Sequence, residues 1–196
     1  MKWSKHLKPF CTKTTRQGFQ GMDCNDFPPT VFSSVTGTSI TALWTSIWTG
    51  IAANDPRTGK VYYCAFGGIY TTSSAATTLI LTPSYGTSAT QTSDVTLATS
   101  ATATIPASIT NGPFYGELYV GFRSVGLAPS SGSVWCSGVA SFGGPSGFTG
   151  SAIAIPFSST SAVTVDNTTA QGIIMFMTSS VAQTYTCEWV TLQSLN

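Results

Sequence analysis

An all-β fold, a sandwich, barrel or jelly roll of about eight to ten short strands, is what this sequence predicts. Runs of Val, Ile, Thr and aromatic residues recur along the chain, parted by clusters of Gly, Pro, Asn and Ser. No segment carries the 3.6-residue apolar period of an amphipathic helix. No internal repeat is evident, which disfavours a propeller or β-helix. At 196 residues the chain suits one domain, or one domain with an arm, and is long enough to bury a core without staples.

Residues 1–29 read as an N-terminal arm that ends at Phe27-Pro28-Pro29, since a double proline continues neither a helix nor a central strand. Trp3, Leu7, Phe10 and Phe19 give the arm apolar anchors as well as charge. Residues 30–196 form the body. From Val31 to Trp48 β-branched and aromatic residues dominate, and Thr41 to Trp48 is apolar enough for a central strand. Asn54 to Gly59 is a turn cluster. Lys60 to Tyr70 is a strand, with Gly67-Gly68 as its expected bulge or bend. Thr77 to Thr82 is a short strand closed by Pro83, followed by polar loop to residue 94. Val95 to Ile105 and Phe114 to Arg123 alternate, the latter imperfectly. Val134 to Ala140 and Ile153 to Phe157 are further strands, Val163 and Val165 precede a turn at Asp166-Asn167, and Ile173 to Met177 and Tyr185 to Leu192 complete the set. Trp44, Cys64, Phe122, Trp135 and Trp189 are expected between two sheets or at a subunit contact.

Charge is distributed unevenly. Five of the eight basic residues, Lys2, Lys5, Lys8, Lys13 and Arg16, lie in the first sixteen positions, where there is no acid. Arg57, Lys60 and Arg123 are the others, set against all seven carboxylates, so a cationic leader precedes a faintly acidic body. Such a split points to a tail that contacts nucleic acid or a membrane surface. Charged residues are 8% of the chain, against about 25% in ordinary domains. A surface hidden by neighbouring subunits or coated in hydroxyls would tolerate that. Hydrophobic residues at 42% and aromatics at 12% argue against disorder.

No run of about 18 apolar residues is present, so no membrane span is expected. Met1 to Phe10 carries charge without a following apolar stretch, unlike a secretory signal. Cysteines are five, Cys11, Cys24, Cys64, Cys136 and Cys187, with no CxxC pair and a single His in the chain. Buried free thiols fit better than zinc ligands or disulfides, and they suit a reducing compartment.

The inventory for catalysis is poor. His6 falls in the Lys-rich arm, so a nucleophile–His–acid triad would need a tail residue. Glu117 and Glu188, each among aromatics, are candidates for paired-carboxylate glycoside chemistry; the plainer expectation is a solvent-facing strand residue or a pair with Arg123. Gly143 to Gly147 lacks the Lys and helix of a phosphate loop. Asp23 and Asp26 with Asn25 are weak candidates for a divalent cation, against a local turn. Asn167-Thr168-Thr169 fits a glycosylation sequon, which without a secretory signal is expected to be a chance match. Trp44, Trp48, Trp135 and Trp189 lack interleaved basic residues, so a base-stacking platform is not expected. No enzyme and no cofactor are expected.

A basic arm, a proline-bounded entry and about eight Thr/Ser/Gly/Val-rich strands resemble the single jelly-roll coat proteins of small icosahedral RNA viruses. Thr169 to Met177, a polar turn, then Gln183 to Val190 is similar to the last two strands of tombusvirus-like shell or protruding domains. Ile105-Pro106 to Phe122 resembles the middle of such a roll. The length suits a satellite-virus coat or one of several picorna-like subunits. The resemblance implies a jelly-roll sandwich that self-assembles, alone or with related capsid subunits, into a virion built in the host cytoplasm. It implies an arm that faces the interior, with Lys2, Lys5, Lys8, Lys13 and Arg16 touching viral RNA without reading its sequence. The arm has fewer basic residues than usual in such proteins, and the calcium-binding aspartates of plant shell domains have no clear counterpart. The alternative is a spike, fibre-tip or protruding β-sandwich for receptor or glycan attachment, its hydroxyl-rich loops suited to sugars.

Overall fold

A computed structural model describes residues 39–44, 50–87, 91–129, 131–144, 147–148 and 152–195. The arm, with Lys2, Lys5, His6, Lys8, Lys13, Arg16, Asp23 and Asp26, lies outside the described residues, as do its proline boundary and Trp48. What is described is β throughout, with one 3-10 turn at Gln91–Ser93 and no α-helix among the described residues.

Twelve strands make two antiparallel sheets of six. The first has β11 (Gln171–Ser179) and β4 (Thr77–Gly86) at its centre. Two short strands, β1 (Thr41–Ala42) and β2 (Gly50–Ile51), share the free side of β11; β5 (Val95–Thr96) and β6 (Ala103–Ile105) share that of β4. The second sheet runs β12 (Thr184–Ser194), β3 (Val61–Thr71), β7 (Gly112–Ser124), β8 (Gly132–Phe142). Beyond β8, β10 (Val163–Val165) covers its first residues and β9 (Ile153–Ser158) its last. Dividing an edge between two short strands denies another chain a long template for pairing.

The core lies between the sheets. In β7, Phe114, Gly116, Leu118, Val120 and Phe122 face inward, while Tyr115, Glu117, Tyr119, Gly121 and Arg123 face out. The alternation that looks imperfect in the sequence is thus strict, with Gly116 filling an inward place beneath the Phe66 ring. Trp44 packs on Phe66 with ring centroids 5.0 Å apart and donates its indole N–H to the Ile173 carbonyl at 2.8 Å. Tyr70, Phe114, Phe142 and Tyr185 form a second aromatic group. Cys64, Cys136 and Cys187 are buried free thiols, as their apolar runs predict. Burial pushes the Cys136 and Cys187 thiols up to about 12, and it raises Cys64 as well.

Several local expectations are corrected. The central strand expected over Thr41 to Trp48 is a two-residue edge strand, with Trp44 buried just past its end. Strand β4 runs through Pro83 to Gly86. Proline is tolerated in this interior strand because its side of the ladder there faces the gap between β5 and β6. In that gap the Pro83 carbonyl accepts from Leu97 N–H at 2.8 Å, while the proline needs no donor partner. The single strand expected over Val95 to Ile105 is broken around the same gap, where Ser100 bonds both ways with Leu81. The bulge expected at Gly67-Gly68 sits across from them, in β12 between Cys187 and Trp189.

Trp135 and Trp189 do not lie between the sheets; both point outward from the second sheet, at 40% and 39% exposure. Trp135 is flanked by inward Val134 and Cys136, and the bulge turns Trp189 out. Trp44, Cys64 and Phe122 are in the core, as expected.

Candidate functional site

The outer face of the second sheet collects the chemistry-bearing side chains. Register sets them in rows. Trp189, Gly67, Tyr115 and Ser141 form one; Thr191, Ala65, Glu117 and Val139 the next; Gln193, Tyr63, Tyr119 and Ser137 a third. Trp135 lies one row further, opposite Gly121. The rows bring together residues more than 100 positions apart because β3 is paired with both β12 and β7.

Glu117 holds the middle. Its Oε2 accepts the Tyr63 hydroxyl at 3.0 Å and the Tyr115 hydroxyl at 3.1 Å, and the two phenol oxygens are 3.3 Å apart. The Tyr115 hydrogen bond, burial and the Glu117 charge all push the Tyr63 pKa upward, so that phenol remains a proton donor. The Tyr63 and Tyr119 rings meet at 5.0 Å, tilted by 43°.

Trp189 lies across Gly67. A Cβ on Gly67 would stand 2.7 Å from indole Cζ2 and 2.9 Å from Nε1, so the ring rests on bare backbone. Beside it, Gly68 lets the bulged strand come close; a Cβ there would fall against the Thr186 carbonyl oxygen. The Tyr115 ring flanks the indole at 5.9 Å and 39°.

Of the residues singled out in the sequence, this face gathers Glu117, Trp135 and Trp189. Glu117 is engaged by phenols and forms no ion pair with Arg123, which is exposed further along β7. Glu188 is the residue left unpaired by the bulge, and the two carboxylates share no hydrogen-bond partner among the described residues. Tyr63, Tyr115 and Tyr119 join the site without a motif to mark them, although the outward phase of β7, Tyr115-x-Glu117-x-Tyr119, is visible in the sequence.

Two other polar clusters serve the scaffold. Near one end of the sandwich Lys60, 7% exposed, pairs with Asp55 at 2.5 Å, and Tyr62 donates to the same oxygen. Asn167 is buried and clasps Gly126 twice, accepting from its N–H at 3.1 Å and donating to its carbonyl at 2.9 Å. The sequon asparagine is thus a structural tie. Among the described residues no group of His, Cys, Asp and Glu is placed to hold a metal, and no helix is long and apolar enough to cross a membrane. No protein-family model, curated protein or solved structure matches the chain.

Proposed function

We propose that the chain is a shell subunit, a capsid protein whose β-sandwich assembles in many copies, alone or with related subunits, around a viral RNA genome. The observation that carries this reading is the charge split: five basic residues and no acid in the first sixteen positions, against three basic residues and seven carboxylates in the rest of the chain. A body so poor in charge gains by burying hydroxyl and apolar surface against neighbouring copies, and such contacts close into a particle when their angles allow. The reading takes the sandwich as of jelly-roll type, since the chain passes repeatedly between the two sheets. The β7–β8–β9 succession within one sheet departs from a strict roll.

Lys2, Lys5, Lys8, Lys13 and Arg16 then face the interior and touch phosphate without reading bases. Single-strand binding loses about 0.7 in salt slope per neutralised phosphate, so five contacts give about −3.5 per subunit, multiplied by tethering in one shell. The protein works by assembly and not by catalysis, and the virion, formed in the host cytoplasm, is its location.

The test is size-exclusion chromatography with negative-stain microscopy on the full chain and on a deletion of residues 2–16. The full chain is expected to form particles containing RNA; the deletion is expected to form shells that have lost it. A monodisperse 20.5 kDa monomer at high concentration overturns assembly. Loss of shells on deletion overturns packaging in favour of an arm that latches subunits.

A further inference from the structure

We propose that the outer face of the second sheet binds a neutral saccharide, with the Trp189 indole stacked on a pyranose ring and Glu117 accepting its hydroxyls. The inference stands on this face alone and does not depend on shell assembly.

The indole is laid down by two coupled features. The β12 bulge turns Trp189 outward, and the missing Cβ of Gly67 lets its ring lie on the sheet. One ring face is thereby spent on backbone, while the residue as a whole stays 39% exposed. An aromatic ring held flat with a free face suits a partner whose own face is apolar and rigid. The C–H face of a pyranose is such a partner. Tyr115, inclined beside the indole, closes one side of the seat.

The polar half of the site adjoins it. Glu117 Oε2 is occupied by Tyr63 and Tyr115, which fixes the carboxylate, and Oε1 has no protein partner among the described residues. A carboxylate oxygen takes up to two donors. The hydroxyls of a sugar supply donors at the edge of the ring, in the plane where the stacked face leaves them. Thr191, Gln193 and Ser137 continue the polar lining across neighbouring rows.

The same carboxylate disfavours a wholly apolar partner. Burying Glu117 under an apolar surface would strand Oε1 without water or a donor, a costly arrangement. Glu117 and Glu188 also disfavour acidic sugars, and the ligand class proposed is neutral.

The experiment titrates the full chain with cellohexaose, maltohexaose, chitohexaose, mannopentaose, N-acetyllactosamine and 3′-sialyllactose, by calorimetry and tryptophan fluorescence. At least one neutral sugar is expected to bind with a Kd at or below about 1 mM, as suits one stacked ring and a few hydrogen bonds. Trp189→Ala is expected to weaken it about tenfold or more, and Glu117→Gln several-fold. Gly67→Ala keeps the aromatic residue but lifts the indole, and is expected to weaken binding too. Circular dichroism checks that each variant is folded. Absence of binding by every neutral sugar overturns the proposal, as does preference for sialyllactose or affinity unchanged in both Trp189→Ala and Glu117→Gln. A change of oligomeric state in Trp189→Ala without sugar binding by the parent chain would also overturn it and mark the face as a contact between copies.

Discussion

Replacing Asp55 by Asn tests the buried end of the sandwich. Asp55 Oδ2 receives Lys60 Nζ at 2.5 Å and the Tyr62 hydroxyl, and the Asp55 carbonyl lies 3.4 Å from the same ammonium. The two partners differ in exposure, at 7% for Lys60 and 44% for Asp55. A hydrogen bond to a charged group contributes about 1.5–3 kcal/mol, but the half-open carboxylate is screened, so Asp55→Asn should cost about 1–2 kcal/mol. Lys60→Met should cost less, about 0–1 kcal/mol, because water can re-solvate the carboxylate it leaves behind. Burial works to raise the Asp55 pKa, but hydrogen bonds from Lys60 and Tyr62 and the charges of Lys60 and Arg57 outweigh it and hold the carboxyl below its ordinary 3.8. A depressed carboxyl stabilises the fold above the unfolded value and loses that contribution as pH falls through the folded one. Urea unfolding at fixed chain concentration, from pH 7 down to pH 3, should show Asp55→Asn below the parent at neutrality and the gap closing in acid. An equal gap at both ends of that range, or a Lys60→Met variant weaker than Asp55→Asn, would refute the asymmetry drawn from burial.

Asn167→Ala should cost about 1–3 kcal/mol in the same unfolding assay, since both polar groups of Gly126 lose their partner. Asn167 should also remain unmodified when the chain is secreted from eukaryotic cells, as intact mass and peptide mapping would show. In a Cys11→Ser, Cys24→Ser variant the three buried thiols should not react with a disulfide reagent until denaturant is added. Rapid labelling of the native variant would contradict the burial that pushes Cys136 and Cys187 up to about 12.

Element existence was legible in the sequence, and the reason is periodicity. From Lys60 onward nearly every apolar run expected to be a strand is one, because inward and outward positions alternate along most of them. Which face a residue takes was less legible. Val134-Trp135-Cys136 is apolar at all three positions, so only pairing with β7 reveals that the tryptophan points out. The Gly67-Gly68 pair signalled an irregularity, but the signal belongs to the partner strand, and cross-strand pairing is not written locally. Pro83 signals a stop in the sequence because a proline ordinarily breaks a ladder; the rule fails where the neighbouring strand is itself absent. The aromatics around Glu117 in the sequence mark it, yet its partners include Tyr63, which lies 54 positions away and reaches it only through β3–β7 register.

The two proposals constrain each other through Glu117. A shell contact that covered the centre of the second sheet would have to provide a donor for Oε1 or leave a carboxylate oxygen buried and unpaired, which the low charge of the body does little to remedy. Contacts between copies would therefore run along the open side of β12 and the loops at the ends of the sandwich, where backbone and hydroxyl groups can be paired. The rows headed by Trp189, Thr191 and Gln193 would stay open to solvent. If the basic leader turns inward to phosphate, as proposed, an aromatic face turned outward would be free to meet sugar. Substitutions at Trp189 or Glu117 should then leave particle yield unchanged while lowering saccharide affinity, and deletion of residues 2–16 should do the reverse to RNA content and leave the saccharide site untouched.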